Sequence, residues 1–338
     1  MKAMALQNDF GFENIQPLER DVPKPGPDEV LLKMRAASLN YRDLLIANDL
    51  YGGRFKLPMV PLSDGCGEVA EIGEAVTRVA VGDRVAPIFF QKWIAGDATI
   101  EGLMSSMGGP LDGCWQEYRC LSEQGVVKVP AHLTDAQVAT LPCAALTAWR
   151  ALVTEGQIKA GDAVLLQGTG GVSIAALQIA KACGAEVIIT SSSDEKLERA
   201  KALGADHLIN YKEHPNWSKL VRDKTGWHGV DHVVEVGGEE TLKESLKSIC
   251  FGGRVNIIGN VSGQMANLRI GAIIATRVKM QGISVGSRVD FENMCRAIDL
   301  HKIAPVVDQT LPFDAGREAF DLMESGGHFG KICIDLTV

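Results

Sequence analysis

A glycine-rich segment carries the clearest chemical signal in the sequence. It follows the apolar run Ala163–Gln167 and opens an alanine-rich segment. Glycines at 168 and 170 permit a tight turn and a close approach of the backbone to a pyrophosphate, and Ser173 is small enough for the third packing position. A helix that begins here offers unpaired N–H groups and a positive dipole end. In this context the segment predicts a dinucleotide-binding turn rather than a plain glycine turn, formed by Gly168, Thr169, Gly170, Gly171 and Val172.

The residues after the second apolar run indicate which dinucleotide binds. An acidic side chain there would bond the ribose hydroxyl and select NAD(H), but the chain has three serines, at 191 to 193. Hydroxyls of Ser191 and Ser192 and the ammonium of Lys196 could bind a 2′-phosphate. The same serines suit a helix N-cap at Ser193, and both readings can hold. We expect NADP(H). NAD(H) is also possible, because no arginine is present at residues 191–196 to bind a 2′-phosphate.

The elements around this turn alternate between strand and helix from Ala145 onward. The predicted helices are Val172–Cys183, Asp194–Leu203, Trp217–Lys224 and Glu239–Ile249. The predicted strands are Ala163–Gln167, Glu186–Thr190, His207–Asn210, Gly229–Glu235, Arg254–Ile258 and Val278–Ser284. Apolar strands that alternate with helices predict an α/β fold with a doubly wound parallel sheet.

The first part of the chain has a different sequence pattern. Up to about Ala144, short strands such as Val30–Met34 and Arg84–Pro87 are separated by glycine and proline. This pattern predicts an antiparallel, partly barrel-like domain. The segment Gly330–Leu336 again has the pattern of a strand, and we expect it to return to the first domain.

Composition limits the function classes. The 338 residues include 34 Lys plus Arg against 42 Asp plus Glu, so a basic footprint for nucleic acid is absent. Eight dispersed cysteines without a C-x-x-C pair are typical of reduced thiols. The sequence shows neither a signal peptide nor an apolar run long enough for a membrane span. We expect a cytoplasmic protein with a small-molecule substrate and neither nucleic-acid nor membrane partners.

Several further segments together resemble the medium-chain dehydrogenase/reductase superfamily. They are Ala36–Asp43, Ser63–Val69, Val79–Val85, Leu141–Trp149 and Ala200–Asp206. The resemblance is to its zinc-free branch, which includes quinone oxidoreductases and zinc-lacking alcohol dehydrogenase-like proteins. It implies a GroES-like partial β-barrel domain at 1–143 and 288–338, and a Rossmann domain at 144–287. It also implies an active site in the cleft between them.

The resemblance also indicates which residues stand at the zinc positions of the family. At the catalytic-zinc positions of the family this chain has Asn40, Ser63, Asp64 and Cys143. One soft ligand cannot build a three-ligand zinc site. The stretch 89–97, where zinc members carry a four-cysteine lobe, has no cysteine. We therefore expect no zinc.

The seven histidines also give no sign of a metal site. His228 and His232 are four residues apart, but Gly229 and the strand pattern that follows exclude a shared helix face. We predict that each histidine is a surface or core residue, and that the chain has no metal site.

Without a Lewis acid, hydrogen-bond donors must polarise the substrate. By the resemblance, Asn40 is the first candidate donor, although asparagine also caps loops. Tyr41 or Tyr51 could reach a substrate or relay a proton, and Thr147 would pack beside the nicotinamide. Asp43 is expected to hold Arg42 or a backbone turn.

The resemblance implies further cofactor contacts at the ends of later strands, where open α/β sheets bind ligands. These are Tyr211, Gly237, Gly259, Val285, Gly286, Ser287, Gly330 and Lys331. Asn40 and Thr147 are expected to contact the cofactor as well.

The expected activity is zinc-independent hydride transfer between NADP(H) and a small quinone, enone or carbonyl substrate. A metal-free NAD(P)-dependent alcohol dehydrogenase or ketone reductase is an alternative. A second alternative is an NADPH-binding sensor or structural protein without turnover. The resemblance further implies a homodimer formed by pairing of the edge strand Val278–Ser284.

Overall fold

A computed structural model describes residues 1–337 of the protein. Contacts divide the chain into two units. Unit 1 comprises Met1–Leu146 and the chain from Val285 onward, and unit 2 comprises Thr147–Ser284. The resemblance placed these boundaries at 143/144 and 287/288, so the two descriptions differ by three residues at each end.

Unit 1 is built mainly from antiparallel strands. Its strands are β1 (Lys2–Leu6), β2 (Ile15–Glu19), β3 (Glu29–Ser38), β4 (Asp64–Ile72), β5 (Arg84–Pro87), β6 (Tyr118–Ser122), β7 (Val126–Lys128), β14 (Val307–Leu311) and β15 (Lys331–Asp335). Its helices are α1 (Tyr41–Ala47), α2 (Ile100–Leu103), α3 (Asp135–Ala139), α10 (Arg288–His301) and α11 (Gly316–Glu324). Short helical turns cover Phe12–Asn14, Glu123–Gly125 and Leu141–Ala145.

One seven-stranded sheet organises unit 1. Its order is β14-β15-β3-β4-β5-β7, with β6 also paired to β3, while β1 and β2 form a separate pair. β15 runs antiparallel to β3 with Cys333 opposite Ser38, which places the carboxyl-terminal strand in the first unit. The core below the sheet includes Trp115 and Phe320. α11 packs so closely here that a Cβ on Gly316 would lie 1.8 Å from the Trp115 ring.

Unit 2 alternates strand and helix. Its strands are β8 (Ala163–Gln167), β9 (Glu186–Ser191), β10 (His207–Asn210), β11 (Val230–Glu235), β12 (Ile249–Ile257) and β13 (Lys279–Gly282). Its helices are α5 (Gly171–Ala182), α6 (Asp194–Ala202), α7 (Trp217–Lys224), α8 (Leu242–Ser248) and α9 (Ile270–Thr276). A helical stretch made of α4 (Leu146–Trp149) and Arg150–Thr154 crosses the boundary between the units.

The unit 2 sheet is parallel and has six strands in the order β10-β9-β8-β11-β12-β13. All five residues of β8 are buried, as expected for a central strand covered on both faces. This order reverses direction at β8, and ligands of such sheets bind at the carboxyl ends of the strands near that reversal. The predicted doubly wound α/β sheet is confirmed.

Some predicted elements were wrong in extent. The helix expected over Glu239–Ile249 is limited to Leu242–Ser248, and the next strand begins at Ile249 rather than Arg254. Gly252 and Gly253 resemble a turn in the sequence, but they lie inside β12. Sequence analysis did not identify α9 or α11. Within residues 1–337, no helix combines the length and hydropathy needed to cross a bilayer.

Candidate active site

A buried chain of hydrogen bonds in unit 1 joins an ammonium to a carboxylate. Lys331, at the start of β15, donates from Nζ to Leu39 O and, at 2.6 Å, to Asn40 Oδ1. Asn40 Nδ2 donates to Ser63 Oγ at 3.3 Å, and Ser63 Oγ donates to Asp64 Oδ1 at 2.8 Å. We call these four side chains, Lys331, Asn40, Ser63 and Asp64, the Lys331–Asp64 chain. All are at least nine-tenths buried.

The electrostatics of this chain are dominated by burial. Burial raises the pKa of Asp64, while the Lys331 charge and hydrogen bonds from Asn40 and Ser63 act in the opposite direction. The Cys143 backbone N–H also donates to Asp64 Oδ2, at 3.1 Å. Burial and the nearby Asp64 raise the pKa of the Cys143 thiol well above its usual value. This cysteine is therefore protonated at neutral pH.

Asp43 is a third buried group beside the chain. Its Oδ2 accepts from Asn40 N at 2.7 Å and caps α1. Its Oδ1 is buried and has no hydrogen-bond partner within residues 1–337. Burial raises the pKa of Asp43 to about 7, against a lowering influence of Arg42. Asp43 was expected to hold either Arg42 or a backbone turn. Its hydrogen bond from Asn40 N shows that it holds the turn, because Arg42 donates instead to Met107 O and Ser106 Oγ.

The donor set at the family's zinc positions does not fit a zinc ion. It consists of an amide, a hydroxyl, a carboxylate and a thiol, from Asn40, Ser63, Asp64 and Cys143, so only Asp64 and Cys143 offer groups of the kinds that zinc takes. The Lys331 ammonium bonded to Asn40 also adds a positive charge next to the positions a cation would need. Zinc normally takes three or four nitrogen, sulfur or carboxylate ligands, and these residues do not supply them.

The two predicted tyrosines lie at the surface of unit 1. Tyr41 is the first residue of α1 and 43% exposed, and Tyr51 is 38% exposed. The Tyr51 ring packs edge-on against Phe55 at 5.4 Å between centroids. The structure thus buries the amide of Asn40 and leaves the neighbouring phenol of Tyr41 accessible to solvent.

The glycine turn of unit 2 has the backbone that a pyrophosphate site requires. Gly168 has φ of +69°, and Gly170 is the N-cap of the twelve-residue helix α5. The first turn of this helix has no side-chain cap, so its N–H groups remain available for an anion. A Cβ on Gly168 or Gly170 would meet no atom within 4 Å, so the backbone there faces open space. Ser173 Oγ ties the helix back to Gln167 O at 2.6 Å.

Residues that could bind a 2′-phosphate lie at or soon after the ends of β9 and β10. Ser191 is buried at the end of β9, and Tyr211 N donates to Ser191 O at 3.0 Å. Tyr211 is 40% exposed, and Ser192 and Lys196 are half-buried. Ser193 Oγ accepts from Lys196 N at 3.4 Å, so the N-cap reading of the serines also holds.

Sequence analysis missed Glu235, a fully buried carboxylate at the end of β11. It accepts from Gly237 N and Gly238 N, each at 3.0 Å. It also accepts from three side chains, Gln167, Thr241 and Ser245. Glu235 therefore holds the loop that carries the predicted cofactor residue Gly237, and its carbonyl accepts from Gly259 N. A charged residue that ends an apolar strand just before two glycines was the available signal.

Several other predicted cofactor residues have structural roles. Gly286 packs so closely that a Cβ would lie 2.9 Å from Leu146 Cγ, and Ser287 caps α10 through Asp290. Gly330 has φ of +82° with Val306 O close by, and Val285 has φ of +48°. Thr147 is buried within α4. The residue types at these positions are thus explained by packing and backbone conformation.

The expectation that the histidines form no ligand cluster needs correction. Single ligand atoms of His228, Asp231 and Cys250 lie within 4.8 Å of one another. His228 and Asp231 are three residues apart in the sequence, and Cys250 joins them because β11 and β12 pair. Sequence spacing within one element could not show this.

Comparisons with known proteins agree with this architecture. Residues 26–131 match the alcohol dehydrogenase GroES-like domain, and residues 171–299 match the zinc-binding dehydrogenase family. A zinc-type alcohol dehydrogenase-like protein of Schizosaccharomyces pombe is 45% identical, with 96% of each chain covered. An acryloyl-coenzyme A reductase of Sulfurisphaera tokodaii is 32% identical, over 92% of this chain and 93% of the relative.

A solved structure shows the same fold. The structure of a proposed alcohol dehydrogenase from Sinorhizobium meliloti has a TM-score of 0.94 and 40% identity, covering 99% of this chain and 98% of the other. The chain belongs to the medium-chain dehydrogenase/reductase superfamily. It is an oxidoreductase with a GroES-like unit and a Rossmann unit, and its glycine turn fits the nicotinamide dinucleotide on which this family depends.

Proposed function

We propose that the protein is a zinc-independent, NADPH-dependent reductase of small quinones, enones or related carbonyl compounds. The Lys331–Asp64 chain carries this proposal. Three of its side chains, those of Asn40, Ser63 and Asp64, stand where the resemblance places the zinc ligands of other members. The fourth, Lys331, supplies a buried positive charge from the protein itself. Such a fixed charge and its hydrogen bonds can stabilise negative charge that develops in a reaction.

When bound, the dinucleotide supplies a hydride from its nicotinamide ring. The task of the protein is then to stabilise the charge on the substrate oxygen, and Asn40 is the first candidate donor. Lys331 Nζ donates to Asn40 Oδ1 at 2.6 Å, which polarises the amide N–H groups. The bond from Asn40 Nδ2 to Ser63 Oγ is long, at 3.3 Å, so a closer substrate oxygen can compete for that N–H.

The proton that completes reduction must come from a group in contact with water. Tyr41 and Tyr51 are the candidates for this relay because both phenols are exposed. Thr147 is assigned to packing beside the nicotinamide on the family pattern. These assignments make Asn40 the oxyanion donor and the tyrosines the proton path.

We assign the preference for NADPH to the ends of β9 and β10. Ser191 ends β9, Ser192 and Lys196 follow it in the chain, and Tyr211 directly follows β10 with its N–H donating to Ser191 O. A 2′-phosphate accepts hydrogen bonds from their hydroxyl and ammonium groups, whereas a carboxylate at 191 or 192 would repel it. The nearest acidic residue, Asp194, accepts from Asn210 Nδ2 at 2.8 Å.

The substrate class is supported by the acryloyl-coenzyme A reductase relative, whose named substrate is an α,β-unsaturated thioester. Other relatives are named alcohol dehydrogenases, which keeps alcohol oxidation as the second candidate. A panel that compares enone and quinone reduction by NADPH with alcohol oxidation by NADP⁺ decides between them. We expect turnover of enones or quinones. Turnover of alcohols alone, or tight NADPH binding without turnover of any acceptor, would contradict the proposal.

We also propose a homodimer formed along β13. This strand lies at the end of the unit 2 sheet. The nearby helix α9 has no buried residue, and its Ile270 and Ile274 are each 71% exposed. A second copy would cover this apolar surface and pair with the strand edge. Size-exclusion chromatography with light scattering tests this, with a dimer expected and a monomer contradicting it.

The eight free cysteines support a reducing compartment, and we propose the cytoplasm.

A further inference from the structure

Three potential metal ligands meet at the amino ends of two strands in unit 2. His228 lies just before β11, Asp231 is the second residue of β11, and Cys250 is the second residue of β12. β11 and β12 are parallel with Val230 opposite Ile249, and the register shifts directly after this pair. At this irregularity Cys250 Sγ lies 3.5 Å from Asp231 Oδ1. One ligand atom from each of the three side chains lies within 4.8 Å of the other two.

The backbone around these ligands is held in place. Gly229 has φ of +92°, and a Cβ there would lie 2.6 Å from Ser248 O and 2.9 Å from Cys250 N. Only glycine therefore allows the loop that carries His228 to approach β12 this closely. Arg222 joins the same two segments, because its guanidinium donates to His228 O at 2.8 Å and to Ile249 O at 2.6 Å.

The carboxylate is oriented as well. Asp231 Oδ2 accepts from Ala163 N at 2.8 Å. Its other oxygen, Oδ1, accepts from Cys250 Sγ at 3.5 Å and so faces the thiol. Hydrogen bonds that fix one oxygen of a ligating carboxylate are a usual feature of protein metal sites. The cluster thus has an ordered thiol–carboxyl pair with an exposed imidazole beside it.

We propose that His228, Asp231 and Cys250 bind one zinc ion, with water at the fourth position. Imidazole nitrogen, thiolate sulfur and carboxylate oxygen are the three ligand types that zinc takes in proteins. A thiolate disfavours magnesium and calcium, which prefer oxygen ligands. The ligand atoms need to move by only a short side-chain rotation to surround an ion, because they already lie within 4.8 Å.

Two of the three ligands are anionic when they bind a divalent cation. Asp231 and a Cys250 thiolate together carry two negative charges, and the facing cation is Arg222. Without metal, burial and the Asp231 charge raise the pKa of Cys250 to about 11, so the thiol is protonated at neutral pH. Zinc binding replaces the S–H bond by a sulfur–zinc bond and releases that proton to solvent.

The location indicates a structural role. The glycine turn follows the carboxyl end of β8, whereas this cluster lies at the amino ends of β11 and β12, the opposite edge of the same sheet. An ion there would tie the loop before β11 to β12. Zinc binding at this edge is independent of the proposed reductase activity.

The test is metal binding by the full-length protein. Metal-free protein is titrated with Zn²⁺, with Co²⁺ as the spectroscopic probe and Mg²⁺ as the negative control. We expect one zinc per chain, about one proton released per zinc, and a thiolate-to-cobalt charge-transfer band. Absence of stoichiometric zinc binding would overturn the proposal.

Variants locate the ion. Cys250→Ser and His228→Ala should each abolish stoichiometric binding, and Cys250→Ser should also abolish the cobalt band. His228 is exposed, so its variant tests the site even where a change at buried Cys250 disturbs folding. Cys183→Ser, a half-buried thiol elsewhere in unit 2, is the matched control and should retain zinc. Loss of zinc in Cys143→Ser, with retention in Cys250→Ser, would place the ion in unit 1 and overturn the proposal. NADPH binding should be unchanged in the Cys250 and His228 variants.

Discussion

Asp64 in unit 1 and Glu235 in unit 2 are both fully buried carboxylates, but they are neutralised differently. Asp64 lies at the end of a hydrogen-bond chain that begins at the Lys331 ammonium. Among residues 1–337, Glu235 accepts only from neutral donors, namely two backbone N–H groups, one amide and two hydroxyls. A carboxylate balanced by a cation belongs to an electrostatic site, whereas one surrounded by neutral donors mainly fixes a loop. This difference supports our proposal that unit 1 carries the chemistry and that Glu235 in unit 2 supports a coenzyme-binding loop.

The largest effect is expected from removing the cation. Lys331→Met leaves buried Asp64 without its counter-charge, and we expect a loss of about 3–5 kcal/mol in the free energy of unfolding. Urea denaturation measures this. The double variant Lys331→Met/Asp64→Asn should recover part of the loss, and exposed Lys33→Met on the same sheet should have little effect. A double variant no more stable than Lys331→Met would show that the Lys331 cation does not balance the charge of Asp64.

Asp43 is a third kind of buried carboxylate, because within the described residues 1–337 it has neither a cation hydrogen-bonded to it nor a donor to Oδ1. Its pKa is about 7 in the folded state, against an ordinary value of 3.8, so the folded protein binds this proton more tightly between those pH values. The free energy of unfolding should therefore fall as pH rises from about 4 to 7, by up to about 4 kcal/mol, and then level off.

Asp43→Asn should remove that part of the pH dependence. Denaturation of wild type and variant across this pH range measures the difference, and exposed Asp314→Asn is the control. Parallel curves for wild type and Asp43→Asn would show that Asp43 ionises normally in the folded protein.

A neutral change at Glu235 should have an intermediate effect. Glu235→Gln keeps the shape but turns an NH₂ group toward buried donors, at an expected cost of about 1–3 kcal/mol. Because Gly237 and Gly238 lose part of their support, NADPH affinity should fall about tenfold. Isothermal titration and denaturation measure both, with exposed Glu240→Gln as the control. Unchanged NADPH affinity in a destabilised variant would limit Glu235 to a role in folding.

The smallest effect concerns the choice of dinucleotide. Lys196→Ala should weaken NADPH binding about tenfold, since it removes one charge-assisted hydrogen bond to the 2′-phosphate. NADH binding should be unchanged. Lys201→Ala on the same helix is the matched control. Tighter binding of NADH than NADPH by the wild type, or an unaffected Lys196→Ala, would show that the assignment is wrong.

Local pattern predicted much of unit 2 and less of unit 1. The bounds of β8, β10 and α7 agree with prediction because apolar runs and breakers mark their ends. α11 was missed because close packing of Gly316 on Trp115 stabilises it, which is a tertiary effect. Helix α9, with no buried residue, gives no periodic core signal.

The candidate site was also predicted only in part from the sequence. Resemblance drew attention to Asn40 and Lys331, but no local pattern could show that residues 291 positions apart share a hydrogen bond. Glu235 was missed for a related reason, since its donors come from β8, α8 and the following loop. Contacts between strands that are distant in sequence decide which buried charge has a partner.

The central claim is that reduction proceeds without zinc at Asn40, Ser63, Asp64 and Cys143. The direct measurement is NADPH oxidation with an enone or quinone by the Cys250→Ser protein, before and after chelation, together with its metal content. That background removes the ion proposed at the other site. We predict an unchanged rate and less than stoichiometric zinc. A rate that falls on chelation, returns with added Zn²⁺ and is lost in Cys143→Ser would contradict the account.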